Sequence, residues 1–178
     1  MPRPGLRWWH VMIGTYCAWL PGDKRGFRSK KHKIHSSGDY RNPPPPEEHA
    51  GLRRYHENRH PERVEIPREV RKRVADKIAE VLRELGYRVL IVSVSGKHAH
   101  ILAELPVDLS EFNRIIGICK NKSSRAIKDE CRGRVWARGD THKLVKDRGH
   151  RKNVYKYLRD DQGPGAACWC VQVAFPDD

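Results

Sequence analysis

Residues 87–105, "YRVLIVSVSGKHAHILAEL", decide the fold, because they predict two strands joined by a tight turn at Gly96-Lys97. The first strand, 87–95, is dense in the β-branched residues Val and Ile. In the second, 98–105, neighbouring side chains point to opposite faces of the sheet. Apart from Leu102, this alternation separates Ala99, Ile101 and Ala103 from His98, His100 and Glu104. We therefore predict a hairpin with its apolar face on the core and its histidines facing away.

Two amphipathic helices flank the hairpin in sequence and are expected to cover its apolar face. The first is predicted over 67–85, where Pro67 suits the first turn, apolar residues recur at helical spacing and Gly86 ends the helix. The second is predicted over 108–129. Its expected buried stripe consists of Phe112, Ile115, Ile116 and Cys119.

Four further elements complete the expected architecture. Aromatic and β-branched residues predict a first strand at 8–19, and two glycines bound a short strand at 134–138. A third helix is predicted at 151–161, and the last apolar run, 168–175, predicts an edge strand. The order matches a ferredoxin-like β-α-β-β-α-β plan. This is an α+β fold in which helices cover one face of an antiparallel sheet and the other face is free for function.

The length of the chain predicts a single domain over residues 1–178. After the first strand, residues 21–63 contain four consecutive prolines, Gly and Ser punctuation and clusters of Lys and Arg. Such a composition cannot bury enough apolar surface to offset the entropy of ordering. We therefore expect 21–63 to be a long, flexible, basic insertion.

The chain is strongly basic, with 36 Lys and Arg against 22 Asp and Glu, a formal net charge of +14 and a pI near 9.9. Residues 114–159 hold 15 of the basic and 4 of the acidic residues, so +11 of the charge lies in one segment. A surplus of this size favours a polyanionic partner, most commonly a nucleic acid.

Other function classes are disfavoured by what the sequence lacks. No apolar stretch approaches the roughly 20 residues that span a bilayer, and the N-terminus does not resemble a signal peptide. No G-x-x-x-x-G-K-[ST] loop is present, so no nucleotide cofactor is expected. The five cysteines form no C-x-x-C pair, which favours reduced thiols. We expect a cytoplasmic bacterial protein that is associated with the nucleoid when it binds DNA.

The histidine pair of the hairpin gains significance from the motifs that follow it. Alone, H-x-H at 98–100 is a motif that a histidine-rich chain produces by chance. It is followed by K-x-x-S-S-R at 120–125, by "VWARG" at 135–139 and by a helix with two tyrosines. In this order the motifs resemble those of the HUH-type single-tyrosine transposases of bacterial insertion sequences, the IS200-like transposase family. The segment "TYCAWLPGDKRGF", 15–27, is similar to the "TYGTWLPGD-RG" opening of the REP-associated tyrosine transposases.

The resemblance implies a nuclease site that holds a divalent metal ion, Mg²⁺ or Mn²⁺. The residues that match the family's two metal-binding histidines and its nucleophile are His98, His100 and Tyr157. Tyr155, two positions earlier, is the alternative nucleophile. The family often uses a Gln four positions after the tyrosine as a third ligand. Here that position is Asp161 and Gln162 follows it, so both are candidates for the third ligand.

A DNA-binding surface is expected around the basic half of the second helix. Its phosphate contacts would come from Lys120, Lys122, Ser123, Ser124 and Arg125. Arg138, beside Trp136, would add charge and stacking for unpaired bases. The expected partner is single-stranded or hairpin DNA. A homodimer is also possible, since the resembling proteins include both dimers and monomers.

The resemblance therefore implies a metal-dependent transposase that cleaves and rejoins single-stranded DNA through a 5′-phosphotyrosine intermediate. Two alternatives would use the same fold. A domesticated, non-catalytic DNA- or RNA-binding module would keep the sheet and the basic helix for binding alone. A replication-initiator or relaxase-like nickase would use the same histidines and tyrosine.

Overall fold

The computed structural model describes residues 1–20, 22–23, 37, 42, 44–45, 47–60 and 63–172. Within these residues the elements are, in chain order, β1 (Leu6–Gly14), α1 (Ala50–Arg59), α2 (Arg71–Glu84), β2 (Val89–Val94), β3 (His98–Pro106), α3 (Leu109–Ala126), β4 (Thr141–Leu144), α4 (Arg148–Asp160) and β5 (Ala167–Cys170). One 3₁₀ turn, Arg68–Val70, leads into α2. None of the described helices is long and apolar enough to cross a membrane.

The strands form one antiparallel sheet in the order β4-β1-β3-β2-β5. β1 to β4, with α2 and α3 as the crossing helices, reproduce the β-α-β-β-α-β plan, so the predicted α+β, ferredoxin-like fold is confirmed. β1 and β3 pair over their whole length, from Leu6 opposite Pro106 to Gly14 opposite His98. The predicted final edge strand is also confirmed, as β5.

The main core lies between the sheet and the two helices α2 and α3. Ala99, Ile101 and Ala103 of β3 are fully buried on this side, as the alternation along the strand predicts. The helices contribute Val74, Ile78, Leu82, Phe112, Ile115, Ile116 and Cys119 to the same cluster. Full burial of an Ile, Leu or Phe side chain contributes about 1.5–3 kcal/mol relative to exposure. These two apolar rows therefore hold the helices on the sheet.

α4 covers part of the opposite face of the sheet, which we call the outward face. Leu102 belongs to this face and packs with Trp8 and Ile91 in a second apolar cluster. The α4 residues in that cluster are Val154, Tyr155 and Leu158. Packing beneath α4 explains why Leu102 breaks the polar alternation of its strand. The remaining part of the outward face carries the histidines.

Glu104 also lies on the outward face, and its side chain is fully buried in an ion-pair network. Its carboxylate accepts hydrogen bonds from Arg88 Nη2 at 2.6 Å and from Arg3 Nε at 2.8 Å. Hydrogen bonds from Arg88, and then from Arg3, lower the pKa of Glu104 to about 2. Glu104 is therefore an ionised anchor that ties residues near the N-terminus to β3.

The predicted strand at 134–138 is wrong. Only Trp136 forms a bridge there, opposite Thr15, and the fourth strand is Thr141–Leu144. Val135 and Trp136 instead pack into the main core. The sequence "THKL" of β4 lacks the apolar pattern of a strand because β4 is an edge strand with mostly exposed side chains.

Within the predicted insertion over 21–63, Ala50–Arg59 form α1, a helix that the composition does not predict. α1 has no buried residue, and Arg59 Nη1 donates to the Tyr55 hydroxyl one turn away at 2.9 Å. Local contacts of this kind stabilise a helix that composition alone does not indicate. The rest of that prediction falls largely outside the described residues (21, 24–36, 38–41, 43, 46 and 61–62), as does 173–175 of the predicted last strand.

Several element boundaries also differ from prediction, most of all at β1 and α4. β1 ends at Gly14 rather than at 19. α4 begins at Arg148 rather than at 151, because Asp147 caps the helix by accepting a hydrogen bond from the His150 N–H at 2.7 Å.

Candidate active site

Three imidazoles meet on the outward face where β1 and β3 pair. Directly opposed residues of antiparallel strands share a face, and the register sets Met12 opposite His100 and His10 opposite Leu102. His10 Nε2 lies 3.0 Å from His100 Nδ1, within hydrogen-bond distance. The rings of His98 and His100 are 4.9 Å apart and nearly perpendicular. The predicted pair is thus part of a cluster with a third histidine, His10.

Burial keeps two of these imidazoles neutral. It lowers the pKa of His100 to about 3, with further contributions from His98 and His10. Burial also lowers the pKa of His10, with smaller contributions from Lys143 and His150. Neutral imidazoles retain a lone pair, which is the form that binds a metal ion.

Tyr157 faces this cluster, and Tyr155 does not. The Tyr157 ring centroid lies 6.0 Å from that of His100 and 6.4 Å from that of His10, and the side chain is 44% exposed. Two residues along a helix is about 200° of rotation, so Tyr155 points to the opposite side of α4. There it is buried, its hydroxyl donates to the Val171 carbonyl at 2.7 Å, and burial raises its pKa to about 12.

A small cavity of about 150 Å³ opens beside the histidines. We call it the active-site cavity, and it is lined by His10, Met12, His100, Thr141 and Lys143. β4 supplies the last two residues because it pairs with β1, with Lys143 opposite His10. The cavity therefore combines imidazole nitrogens with one lysine next to an accessible tyrosine.

Neither candidate for a third ligand has a described contact with the histidines. Gln162 Nε2 donates to the Tyr157 carbonyl at 3.2 Å, and Asp161 is the exposed C-cap residue of α4. Among the described side chains, no three His, Cys, Asp or Glu residues converge into a ready-made metal site. The described hydrogen bonds thus bring His10, rather than Asp161 or Gln162, to His100.

Sequence reasoning missed His10 because the site depends on strand pairing. The signal in the sequence is the two-residue period of a strand: Trp8, His10 and Met12 are two residues apart, so all three lie on one face of β1. Only the register with β3 shows that this face is the one that carries His98 and His100.

The predicted DNA-binding residues lie elsewhere, around a groove of about 700 Å³ between α3 and residues 133–140, which we call the α3 groove. α3 packs on the main core, so the α3 groove and the histidines belong to opposite faces of the sheet. Arg125 and Arg138 line it and are exposed, while Lys122 is exposed on α3. Lys120 is half-buried and donates to the Ala137 carbonyl at 3.2 Å, and burial lowers its pKa.

Two of the predicted DNA contacts are wrong, because Ser123 and Trp136 are buried. Trp136 Nε1 donates to Ser123 Oγ at 3.0 Å, and Ser123 Oγ donates to the Cys119 carbonyl at 2.7 Å. Neither side chain is available to a base or a phosphate in this conformation. Ser124 is half-buried and donates to the Lys120 carbonyl at 2.8 Å.

Comparison with protein families gives one match. The family model "Transposase IS200 like" matches residues 59–161, more than half of the chain. The matched segment includes His98, His100, Tyr157 and Asp161, whereas His10 and Gln162 lie outside it. A comparison with curated proteins finds no match.

The solved structures that are similar to this chain include two transposases. A REP-associated tyrosine transposase bound to a REP hairpin shares 12% identity with a TM-score of 0.45, and the match covers 90% of this chain and 68% of that one. A protein assigned as a transposase from Deinococcus radiodurans shares 11% identity with a TM-score of 0.44, and the match covers 87% of this chain and 90% of that one. At these identities the likeness concerns the fold alone.

Proposed function

Because this chain belongs to the IS200-like transposase family, we propose that it cleaves and rejoins single-stranded DNA with Tyr157 as the nucleophile. One observation carries the proposal: the exposed Tyr157 ring lies 6.0 Å from His100 and 6.4 Å from His10, beside the active-site cavity. Tyr155 is buried and its hydroxyl is engaged by Val171, so it cannot reach the same phosphate.

The proposed reaction exchanges one phosphodiester for another. The Tyr157 hydroxyl oxygen attacks the scissile phosphorus, the bond from phosphorus to the 3′ oxygen breaks, and the departing strand takes up a proton as a free 3′-OH. The 5′ phosphate stays bonded to Tyr157. Attack by a 3′-OH on that phosphotyrosine reverses the step and releases the tyrosine. No phosphoester bond is lost overall, so the reaction needs no nucleotide cofactor.

The local charges favour this attack. A tyrosine has an ordinary pKa near 10 and must lose its proton as it attacks. Because the Tyr157 side chain is 44% exposed, the proton can pass to solvent. Lys143 lines the active-site cavity and places a positive charge where the phenolate and the phosphate oxygens carry negative charge.

The donor chemistry of the histidine cluster suits a divalent metal ion, whose binding would draw the imidazoles together. The imidazoles of His10 and His100 are neutral, and their facing nitrogens are 3.0 Å apart, close enough to bind one ion together. We propose His98, His100 and His10 as the ligands, with Asp161 and Gln162 as the alternatives for the third. The ion would polarise the scissile phosphate and stabilise charge in the transition state. Imidazole-rich sites favour first-row transition metals over Mg²⁺, so Mn²⁺ is expected to support the reaction better.

Single-stranded or hairpin DNA is the proposed substrate. The formal charge of +14 favours a polyanion, and membership of a transposase family makes DNA the relevant one. An unpaired strand can bring its backbone to a site on an open sheet face more easily than a stacked duplex.

An adduct assay tests the proposal. The protein is incubated with end-labelled hairpin DNA carrying single-stranded flanks, in Mn²⁺, and separated under denaturing conditions. We expect a shifted, denaturation-resistant band with the wild-type protein and with Tyr155→Phe, and none with Tyr157→Phe. Thermal melting shows whether each variant is folded.

The matched pair of tyrosine variants makes the outcomes distinct. An adduct that survives Tyr157→Phe but is lost in a folded Tyr155→Phe protein would reverse the assignment. If the wild-type protein binds the DNA but forms no adduct under any metal condition, the non-catalytic binding module is the better description.

A further inference from the structure

A second cavity on the outward face lies at the beginning of α4. It has a volume of about 460 Å³, and we call it the α4-start cavity. Its lining includes four cationic side chains, Arg7, Lys146, Arg148 and Arg151, together with the ring of Trp8. This concentration of positive charge is distinct from the active-site cavity, which shares none of these residues.

The four cations have no carboxylate partner. Among the described residues, none of them forms an ion pair with an Asp or Glu side chain. Among the described lining residues the one acidic side chain is Asp147, which accepts a hydrogen bond from the His150 N–H as the cap of α4. Nearby Glu104 is held by Arg3 and Arg88. With four cations against one carboxylate, the described lining carries a net positive charge.

Two buried donors in the lining also lack acceptors. Trp8 is only 7% exposed, and neither its Nε1 nor Arg151 Nε has a hydrogen-bond partner. The Arg151 guanidinium lies 5.0 Å from the centre of the Trp8 ring, so the two residues with unpaired donors are in contact with each other. Buried N–H groups in proteins are nearly always paired, and an unpaired one calls for an explanation such as a missing ligand. The first N–H groups of α4 add to the attraction for an anion.

We propose that the α4-start cavity binds a phosphate group of the same DNA strand whose scissile phosphate lies at Tyr157. The inference rests on the proposed function for that strand. A phosphate in the cavity would accept hydrogen bonds from the exposed side chains of Lys146 and Arg148. A small shift of Trp8 and Arg151 would bring their buried, unpaired N–H groups to the same phosphate.

The two cavities are connected by α4 and β4. Arg148 and Tyr157 are nine residues apart on α4, about 14 Å at 1.5 Å per residue. This span corresponds to about four nucleotides of a stacked strand at 3.4 Å each. Lys143 on β4 lines the active-site cavity, and Lys146, just beyond the end of β4, lines the α4-start cavity. At 100° per residue, Arg148 and Tyr157 lie on opposite sides of α4. A strand would therefore run along β4, past Lys143 and Lys146, to meet positive charge at both cavities.

The test uses binding, so that it does not depend on cleavage. In a Tyr157→Phe background, affinities are measured for single-stranded oligonucleotides that extend two or six nucleotides beyond the scissile phosphate, separately on each side. The variant is Arg7→Gln with Arg148→Gln, both exposed positions. The matched control is Lys72→Gln with Lys77→Gln, which removes the same charge from α2, on the other face of the sheet.

We expect the arginine variant to lose about tenfold in affinity for the longer oligonucleotide on one side, and none for the shorter ones. The slope of log K against log salt should fall by about 0.7, the value for one lost contact to a single-strand phosphate. Equal losses for short and long oligonucleotides, or an equal loss in the α2 control, would overturn the proposal.

A second variant separates the donor from the charge. Trp8→Phe keeps an aromatic side chain but removes the indole N–H, so we expect a severalfold loss for the same longer oligonucleotide at a temperature where melting shows the variant to be folded. An unchanged affinity would contradict the assigned role of Trp8. If inorganic phosphate binding is impaired by the arginine variant without any dependence on oligonucleotide length, the cavity binds free anions and not the strand. If the length-dependent loss appears but wild-type protein forms no adduct, the phosphate site stands and the proposed catalysis fails.

Discussion

The outward face and the α3 groove contain similar residue types but differ in what those residues contact. On the outward face, His10 and His100 are neutral, and Tyr157 stands free beside them. In the α3 groove, Lys120 and Ser124 donate to the protein's own carbonyl groups. The comparison shows that the polar side chains of the α3 groove are committed to backbone carbonyls, whereas the two histidines contact each other and line an open cavity.

The histidine cluster is expected to show the largest effect. We predict that His100→Ala lowers the single-turnover rate of adduct formation by about 10²–10³-fold, because the proposed metal ion would lose its central ligand. His142→Ala is the matched control, since His142 packs against Trp9 and Phe112 on the other face. Equal rates for the two variants would show that His100 on the outward face matters no more for adduct formation than His142 on the other face.

Glu104 lies on the same outward face as the histidines, but its carboxylate is bound by Arg3 and Arg88, so we expect it to act on stability. Its pKa falls from an ordinary 4.5 to about 2, so the stabilisation is complete above pH 4.5 and is lost as the pH falls toward 2. The shift corresponds to about 3 kcal/mol at most. We expect Glu104→Gln to lower the free energy of unfolding by up to that amount at pH 7, measured by urea denaturation. The difference from wild type should shrink as the pH falls from 4.5 to 2; a constant difference would contradict the account.

The choice of third metal ligand is expected to show an effect of about tenfold. His10→Ala should weaken Mn²⁺ binding in calorimetry by at least that factor, because it removes the nitrogen that lies 3.0 Å from His100. Asp161→Ala and Gln162→Ala serve as controls and should bind Mn²⁺ as the wild-type protein does. A loss confined to Gln162→Ala or Asp161→Ala would show that the end of α4 rearranges to provide the ligand.

The α3 groove is expected to give the smallest effects on catalysis. Arg125→Ala with Arg138→Ala should weaken DNA binding by less than tenfold and leave the adduct rate at saturating DNA unchanged, because the groove and Tyr157 lie on opposite faces. Ser123→Ala should act on stability instead, by about 1–2 kcal/mol, since it leaves the Trp136 N–H unpaired. If the arginine variant formed the adduct much more slowly at saturating DNA, the α3 groove would take part in catalysis at Tyr157, contrary to the prediction.

The sequence predicts best those helices and strands whose apolar residues recur at a regular spacing. The hairpin, α2 and α3 have strong periodicity, and the histidine parity along β3 placed His98 and His100 on the correct face. β4 was missed because a short polar edge strand carries no such signal. The apolar "VW" of 135–136 predicts a strand, but apolar residues of a loop that pack into the core have the same composition.

The candidate site was predictable in its family motifs and unpredictable in its long-range contacts. His98, His100 and Tyr157 followed from motifs. His10 joins them only through the pairing of β1 with β3, across 90 residues of sequence. Ser123 and Trp136 look like DNA contacts in sequence, but their mutual hydrogen bond in the interior is a tertiary property. The same holds for the α4-start cavity, which Trp8 and Arg151 form from distant positions.

Mapping the covalent adduct tests the central claim most directly. Trypsin cleaves after Lys156 and so separates the two tyrosines, into the peptides 153–156 and 157–159. After incubation with DNA and Mn²⁺, nuclease trimming and tryptic digestion, tandem mass spectrometry locates the nucleotide. We predict a phosphonucleotide on the Tyr157 side chain, including in any peptide that escapes cleavage at Lys156. A nucleotide on Tyr155, or an unmodified Tyr157 in material that carries the adduct, would contradict the account.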